Sequence, residues 1–189
     1  MKANNYSKKH LIGLAGKMGV GKTTIAKWFE KHQNFKRLYF SKPMKDCCPK
    51  LLGLPEEYFT DQKLKEKEIP GLPKMSPRKI MQLMGTEFLR NMVYYDFFIW
   101  RMRLYFSEYS DQNIIVDDIR FENEAKLIRD NGGLVVHLNR EFIQNSKNTQ
   151  HTSEKGINID PYDIIYNIDK SEEKASKCLY RLIYSIKMD

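Results

Sequence analysis

The stretch Gly16-Lys-Met-Gly-Val-Gly-Lys22-Thr23 indicates the fold of this 189-residue chain more directly than any other part. It matches the pattern G-x-x-x-x-G-K-[ST], in which glycines let consecutive backbone N–H groups curve around a phosphate without side-chain clashes. The pattern requires a strand before it and a helix after it. Residues 10–15 form an apolar run that predicts the strand, and the periodic residues 24–31 predict the helix. We therefore expect a loop that binds a nucleoside triphosphate.

The parts of this loop have different expected roles. Lys22 is predicted to reach the β- and γ-phosphates, and the Thr23 hydroxyl is predicted to ligate Mg²⁺. The positive N-terminal end of the following helix adds to the attraction for anions. The predicted nucleotide-binding residues are Gly16, Lys17, Met18, Gly19, Val20, Gly21, Lys22, Thr23 and Thr24.

Strand and helix signals alternate along the rest of the chain. Further strands are expected at residues 37–40, 113–118, 134–138 and 163–168. Helices are expected near residues 44–52, 76–92, 95–109, 122–130 and 172–186, with Pro49 bending or interrupting the first of them. Alternating elements with crossover helices imply a parallel sheet covered on both faces. The predicted fold class is α/β, in one domain.

Composition excludes several classes of protein. Hydrophobic residues make up 41% of the chain and aromatic residues 12%, which excludes a disordered protein. Apolar runs fall short of the roughly 18 residues of a membrane span, so we expect no membrane association. The three cysteines, Cys47, Cys48 and Cys178, lack the spacing of a zinc site or redox pair. They fit a reducing compartment, and we expect a cytoplasmic location.

The net charge of +8 is spread unevenly. Residues 1–50 hold 12 Lys or Arg against two acidic residues, whereas residues 51–189 hold 20 against 22. A basic N-terminal quarter attracts nucleic acid, anionic lipid or small phosphorylated ligands, and it also fits a merely solvated surface. Charge alone leaves these possibilities open.

An acidic residue that faces the phosphate loop is expected at the end of an apolar strand. Both Asp117 and Asp118 qualify. Because successive strand residues point to opposite faces, only one of them can address Mg²⁺, while the other points away or caps the next helix. Arg120 lies two residues beyond Asp118, where α/β sheets bind ligands at the carboxyl ends of their strands.

Two stripes of residues follow the predicted helix at residues 76–92. One stripe, spaced by four residues, is apolar and predicts a core contact: Ile80, Met84, Phe88 and Met92. The other is polar: Arg78, Gln82, Thr86 and Arg90. The polar stripe is either a solvated face or a surface that binds a phosphate and a base edge. Farther along, Arg140 introduces a polar segment containing His151, for which residue type alone favours a structural role.

These motifs together resemble the deoxynucleoside monophosphate kinases of bacteriophages and related viruses, a branch of the P-loop kinases. The resemblance spans nearly the whole chain. Besides the loop, it rests on Ser41-Lys-Pro-Met-Lys45, Arg78-Lys-Ile-Met-Gln-Leu-Met-Gly-Thr-Glu87, Asp118-Ile-Arg-Phe-Glu-Asn-Glu124, Gly132-Gly133 through Arg140, His151-Thr-Ser-Glu154 and Asn167. The combination of the Asp118, Gln82 and His151 motifs is much more specific than the loop alone.

The resemblance implies a three-layer P-loop kinase fold with a five-stranded, mostly parallel sheet. Its core would comprise about residues 8–42, 111–140 and 160–189, with a helical acceptor-binding region at 43–110 and a lid at 141–158. The implied catalytic residues are Lys22, Asp118, Arg120 and Arg140, with Thr23 and Asp118 on the metal. The implied substrate-binding residues are Lys45, Arg78, Gln82, Thr86, Arg90, Arg120, Glu124, His151 and Glu154. The chain departs from the family at Thr23, where aspartate is common, and at Val93 and Phe98.

The implied activity is Mg²⁺-dependent transfer of the γ-phosphoryl group of ATP to deoxynucleoside 5′-monophosphates, giving ADP and deoxynucleoside diphosphates for DNA synthesis. The family also suggests a homodimer, and no stable nucleic-acid complex is expected. One alternative is a P-loop kinase for another phosphorylated metabolite, of the dephospho-coenzyme A or phosphomevalonate type. The other is a nucleotide-dependent nucleic-acid-binding protein, for which the basic N-terminal quarter is the argument.

Overall fold

The computed structural model describes residues 9–140, 157–169 and 171–186. The strands of these ranges are β1 Leu11–Ala15, β2 Phe35–Leu38, β3 Asn113–Ile119, β4 Leu134–Asn139 and β5 Ile164–Asn167. The α-helices are α1 Lys22–His32, α2 Lys42–Leu52, α3 Glu57–Thr60, α4 Pro77–Gln82, α5 Phe97–Glu108, α6 Glu122–Asp130 and α7 Glu172–Ile186. The described ranges also contain a 3₁₀ turn at Leu64–Glu66 and a π-helix at Leu83–Val93. Over these ranges, no helix combines the length and apolar character needed to cross a membrane.

The chain divides into two compact units. The sheet unit comprises the described parts of Met1–Tyr39 and Tyr105–Asp189, and the helical unit comprises Phe40–Leu104. The division falls within α5. The prediction of a single domain with an acceptor-binding region at 43–110 stays a prediction.

The sheet unit is built on five parallel strands in the order β2-β3-β1-β4-β5. The predicted fold class, a three-layer α/β architecture on a five-stranded parallel sheet, is confirmed. β2 begins at Phe35 and ends at Leu38, so the prediction of residues 37–40 placed this strand about two residues too late. α6 and α7 have the bounds that the sequence predicts.

Helices α1 and α7 cover one face of the sheet. Alternate residues of β1, Ile12 and Leu14, point to this face and are fully buried against Phe29 of α1 and Leu179 of α7. Burying a side chain of this size contributes about 1.5–3 kcal/mol. Gly13 points to the opposite face, toward α6, so helices cover both faces of β1.

A bulge interrupts β3 near its carboxyl end. Gly13 of β1 pairs with Val116, but Ala15 pairs with Ile119, so Asp117 and Asp118 together lie opposite one β1 residue. As a result, Ile119 lies on the same face as Gly13. The strict alternation expected for this strand is therefore wrong at its last residues, because a bulge adds a residue and redirects the side chains that follow.

The helical unit contains a π-helix where the sequence predicts an α-helix. Ser76 caps α4, accepting a hydrogen bond from the Lys79 amide at 3.3 Å. From Leu83 onward the backbone follows i→i+5 geometry, which is rare. Phe88 is 50% exposed and Met92 76% exposed, so their predicted place in the core is wrong. Thr86 and Arg90, of the polar stripe, are buried instead.

Pro49 does not interrupt α2, so the expected break is wrong there, and the alternative of a bend stays a prediction. The helix continues through Pro49 to Leu52 and ends where Gly53 adopts a φ of +62°. Pro49 has no N–H, so the helix forgoes one i→i−4 hydrogen bond in its last turn and still continues to Leu52.

Candidate active site

The phosphate loop joins β1 to α1 in the sheet unit and depends on two glycines with positive φ. Gly16 has a φ of +135°, and a Cβ atom there would collide with the carbonyl oxygen of Leu138 in β4. Gly21 has a φ of +107° and is the N-cap of α1, with its carbonyl accepting from the Ile25 amide at 3.0 Å. Side chains at these two positions would therefore displace the loop or strain it.

Lys22, the first residue of α1, folds back over the loop. Its ammonium donates hydrogen bonds to the carbonyl oxygens of Gly16 and Lys17, the second at 2.9 Å. Thr23 is exposed in the first turn of α1, as is the adjacent Thr24. The loop thus combines a lysine charge, a hydroxyl and a helix N-terminus, which is the chemistry that binds polyphosphate and its cation.

The remaining loop residues anchor or line this turn. Val20 is 1% exposed and its side chain belongs to the core between β1 and α1. This burial anchors the loop. Met18 is half-buried, whereas Lys17 and Gly19 are exposed. Gly19 has a φ of +82°, and a Cβ there would meet no atom within 4 Å.

The two aspartates at the bulge of β3 lie in different environments. Asp117 is 2% exposed and accepts a hydrogen bond from Arg37 Nε at 2.8 Å, with Arg37 Nη2 2.7 Å from the same oxygen. Asp118 is half-buried at the carboxyl end of the strand. The buried ion pair gives Asp117 a structural role, and the metal-binding role of Asp118 stays a prediction.

Arg120 follows β3 in a loop that Glu124 closes. The Glu124 carboxylate is buried and accepts the backbone N–H groups of Arg120 at 2.8 Å and Phe121 at 3.1 Å. A carboxylate at this place in the first turn of α6 caps the helix and holds the loop backbone. Both hydrogen bonds fix the backbone that carries the half-buried Arg120 side chain. The substrate-binding role of Glu124 stays a prediction.

Arg140 lies beside the phosphate loop. It follows β4, and its Nη2 is 3.3 Å from Oε1 of Glu172, the first residue of α7. A Cβ atom on Gly21 would be 3.5 Å from Glu172 Cγ and 4.0 Å from Arg140 Nη2. The structure thus brings the phosphate loop, Arg140 and Glu172 together at one edge of the sheet.

The predicted acceptor-binding arginines of the helical unit both have defined partners. Arg78 forms an ion pair with Glu66. Arg90 is 2% exposed, with its guanidinium carbon 5.8 Å from the centre of the Tyr95 ring and 5.4 Å from that of Phe98. Of the other predicted residues of this unit, Thr86 is buried, and Lys45 and Gln82 are half-buried.

Two of the predicted substrate-binding residues belong to the predicted lid. His151 and Glu154 lie outside the described residues, as do residues 141–156. Their assignments stay predictions.

A magnesium site at the loop would use few protein ligands. Among the residues that the structure describes, no group of three or more His, Cys, Asp or Glu residues could hold a metal ion. Mg²⁺ in phosphoryl-transfer sites typically takes one or two protein oxygens and fills its octahedron with phosphate oxygens and water. The hydroxyl of Thr23 and the carboxylate of Asp118 are hard oxygen donors of this kind, so the residues present fit such an ion.

Sequence reasoning missed two charged residues near the site. Arg37 is a charged residue within the predicted strand region, but its ion pair with Asp117 spans 80 positions. The sequence alone identifies Glu172 as an acidic residue in the first turn of a helix, which is a common helix-stabilising feature. A sheet order known in advance could have suggested the first contact, since β2 and β3 are neighbours.

A phosphate loop between the first strand and helix of a parallel sheet, with an aspartate at the carboxyl end of the adjacent strand, defines a P-loop α/β fold. The fold is similar to that of shikimate kinase from Aquifex aeolicus, with a TM-score of 0.52 over 94% of this chain and 98% of that one, at 14% identity. The family model described as deoxynucleotide monophosphate kinase matches residues 56–178. The chain belongs to the deoxynucleotide monophosphate kinase family.

Two viral relatives support this membership. A protein of Acanthamoeba polyphaga mimivirus that carries the name of a deoxynucleotide monophosphate kinase is 30% identical over 177 residues, covering 87% of this chain and 91% of that protein. Deoxynucleoside-5′-monophosphate kinase of Escherichia phage T5 is 31% identical over 113 residues, covering 54% of this chain and 44% of that protein. The resemblance drawn from the sequence motifs and the assignment to the kinases are thereby confirmed.

Proposed function

We propose that this chain transfers the γ-phosphoryl group of ATP to a deoxynucleoside 5′-monophosphate, giving ADP and a deoxynucleoside diphosphate. The observation that carries the proposal is the phosphate loop with Lys22 folded over it, in a chain of the deoxynucleotide monophosphate kinase family. The diphosphate would supply DNA precursor synthesis. A cytoplasmic location, a homodimer and the lack of a stable nucleic-acid complex stay predictions.

The loop would bind the donor nucleotide. Its backbone N–H groups and the N-terminus of α1 would hold the phosphates, and the Lys22 ammonium would exchange its loop carbonyls for β- and γ-phosphate oxygens. Thr23 and Asp118 would hold Mg²⁺ directly or through water, and the ion would neutralise phosphate charge. Since phosphoryl transfer needs little covalent chemistry from the protein, these residues act by positioning and charge compensation.

Arginines would bind the acceptor monophosphate. Arg120 is the candidate in the sheet unit, because Glu124 fixes the backbone that carries it. Within the helical unit, the acceptor-binding roles of Lys45, Arg78, Gln82, Thr86 and Arg90 stay predictions. A guanidinium can hold two phosphate oxygens at once, which fixes the acceptor for in-line attack.

An acceptor panel tests this function. The protein is incubated with ATP, Mg²⁺ and one acceptor at a time, and ADP is measured against a no-acceptor control. The acceptors are the deoxy- and ribonucleoside monophosphates, dephospho-coenzyme A and phosphomevalonate. We expect at least one deoxynucleoside monophosphate to raise ADP formation far above the control. Stimulation by dephospho-coenzyme A or phosphomevalonate alone would identify a metabolite kinase instead. Binding to polynucleotide with steep salt dependence, without any acceptor, would support the nucleic-acid alternative.

The role of Arg120 has its own test. Arg120→Lys keeps the charge but loses the planar fork, so the acceptor KM should rise about tenfold while the KM for ATP stays nearly unchanged. Arg103→Lys, an exposed arginine of α5, is the matched control and should change neither value. An equal rise of both KM values in Arg120→Lys would assign the arginine to the donor site.

A further inference from the structure

Arg140 and Glu172 meet where the carboxyl ends of two neighbouring strands bring them together. Arg140 follows β4 directly and Glu172 opens the helix after β5, and these strands are parallel neighbours. The Asn139 side chain donates a hydrogen bond to that of Asn167 at 3.1 Å, which ties the two strand ends to each other. The contact between Arg140 Nη2 and Glu172 Oε1, at 3.3 Å, therefore rests on a defined part of the sheet.

The ion pair lies against the last glycine of the phosphate loop. The distances of 3.5 and 4.0 Å from a Cβ position on Gly21 to Glu172 Cγ and Arg140 Nη2 are ordinary van der Waals distances. Gly21 is also the N-cap of α1, so the pair adjoins the positive end of that helix. Any polyphosphate held by the loop would lie close to both charges.

The two charges have opposite effects on a bound polyphosphate. The Arg140 guanidinium attracts it, whereas the Glu172 carboxylate repels it and competes for the same guanidinium. The arginine side chain is 26% exposed and the glutamate 41%, so solvent screens their mutual attraction. A triphosphate carries several negative charges, which makes it a stronger partner for a guanidinium than one half-exposed carboxylate.

We propose that Glu172 is a positioning residue that holds Arg140 beside the phosphate loop in the nucleotide-free protein and gives it up to the phosphates of the incoming nucleotide. Glu172 thus keeps the arginine within reach of the site at a cost in affinity for the nucleotide. This inference rests on the proposed function only in requiring that the loop binds ATP.

Nucleotide affinity in a set of charge-neutralising variants tests the exchange. Calorimetry would give the Kd of MgATP and of inorganic tripolyphosphate for the wild-type chain, Glu172→Gln, Arg140→Gln and the double variant. We expect Glu172→Gln to tighten both ligands about two- to fivefold, the range of a screened ion pair. Arg140→Gln should weaken both ligands, and in that background Glu172→Gln should change the Kd by less than about 1.5-fold.

Glu173→Gln is the matched control. Glu173 is the next residue of α7, makes the same charge contribution to the helix N-terminus, and pairs with Lys177 at 2.7 Å on its own helix. It should leave both Kd values unchanged. Tightening by Glu172→Gln of equal size with and without Arg140 would show direct repulsion and overturn the proposal, as would equal effects of Glu172→Gln and Glu173→Gln.

These binding measurements distinguish a failure of this proposal from a failure of the proposed function. A response of MgATP without a response of tripolyphosphate would place Glu172 at the nucleoside and overturn the exchange. Normal ATP binding with no transfer to any monophosphate would refute the proposed function alone, because the binding measurements need no acceptor. No binding of ATP to the wild-type chain would overturn both.

Discussion

Replacing Asp117 with Asn is expected to destabilise the fold while leaving the chemistry largely intact. The Asp117 side chain is 2% exposed and that of Arg37 14%, and two Arg37 nitrogens lie 2.7 and 2.8 Å from one carboxylate oxygen. Removing one partner of a buried ion pair costs about 3–5 kcal/mol, because the other charge is left buried without compensation. Asn keeps an oxygen that can accept from Arg37, so we expect a loss at the low end, about 3 kcal/mol.

Thermal and urea unfolding would measure this loss. For a chain of this size, 1 kcal/mol shifts Tm by about 2–4 °C, so Asp117→Asn should lower Tm by roughly 6–12 °C. Asp118→Asn is the companion variant: its Tm should stay within about 2 °C of wild type while kcat falls about 100-fold or more. Asp46→Asn removes an exposed pair with Lys42 and should cost less than about 1 kcal/mol.

Comparing the stability and activity of the two variants tells which aspartate is structural and which is catalytic. A stable but inactive Asp117→Asn together with an active Asp118→Asn would reverse their roles. The proposed metal position and the structural role of Arg37 would then both be wrong.

Three further outcomes follow from the structure. Lys22→Met should lower kcat about 100-fold or more with an unchanged circular dichroism spectrum, because it removes a preorganised charge at the transferring phosphate; near-normal turnover would exclude the loop as the reaction site. Met92→Ser should change the free energy of unfolding by less than about 0.5 kcal/mol, since the side chain is 76% exposed, whereas Met44→Ala, at 5% exposure, should cost about 2–5 kcal/mol; similar losses would contradict the exposed position of Met92. Burial raises the pKa of the Asp163 carboxyl, but hydrogen bonds from Arg129, the Asp160 amide and His137 outweigh it and hold the pKa below its ordinary value of 3.8. Asp163→Asn should therefore destabilise the fold at pH 7, with the difference in urea midpoint shrinking as pH falls below about 4 toward the folded-state pKa; a difference that stays constant as pH falls below about 4 would contradict this.

Most of the sheet unit could be predicted from local sequence signals. Gly132 and Gly133 follow the end of α6, with Gly132 at a φ of +69° and the Gly133 amide bonded to the Ile128 carbonyl at 2.9 Å. Such helix ends can be predicted from neighbouring residues, because a glycine after a periodic stretch can adopt the left-handed conformation that stops a helix. The phosphate loop is local in the same sense, and its glycines have the positive φ values that the motif requires.

The features that could not be predicted depend on contacts between distant residues or on rare backbone geometry. The Arg37–Asp117 pair spans 80 positions and the Arg140–Glu172 pair spans 32, so no sequence window contains either. The π-helix at Leu83–Val93 is a rare geometry, and within it Arg90 is buried while the apolar Phe88 is 50% exposed, the reverse of what residue type predicts. The β3 bulge likewise changed which residues share a face, although both aspartates were recognised.

The fate of the γ-phosphate tests the central claim most directly. The wild-type chain is incubated with Mg²⁺, ATP carrying a radioactive γ-phosphate, and each deoxynucleoside monophosphate, and the labelled products are separated by chromatography. We predict that the label appears in a deoxynucleoside diphosphate, in equal amount to the ADP formed, and that Lys22→Met abolishes most of this transfer. Label found only in inorganic phosphate, whichever deoxynucleoside monophosphate is present, would contradict the proposed function.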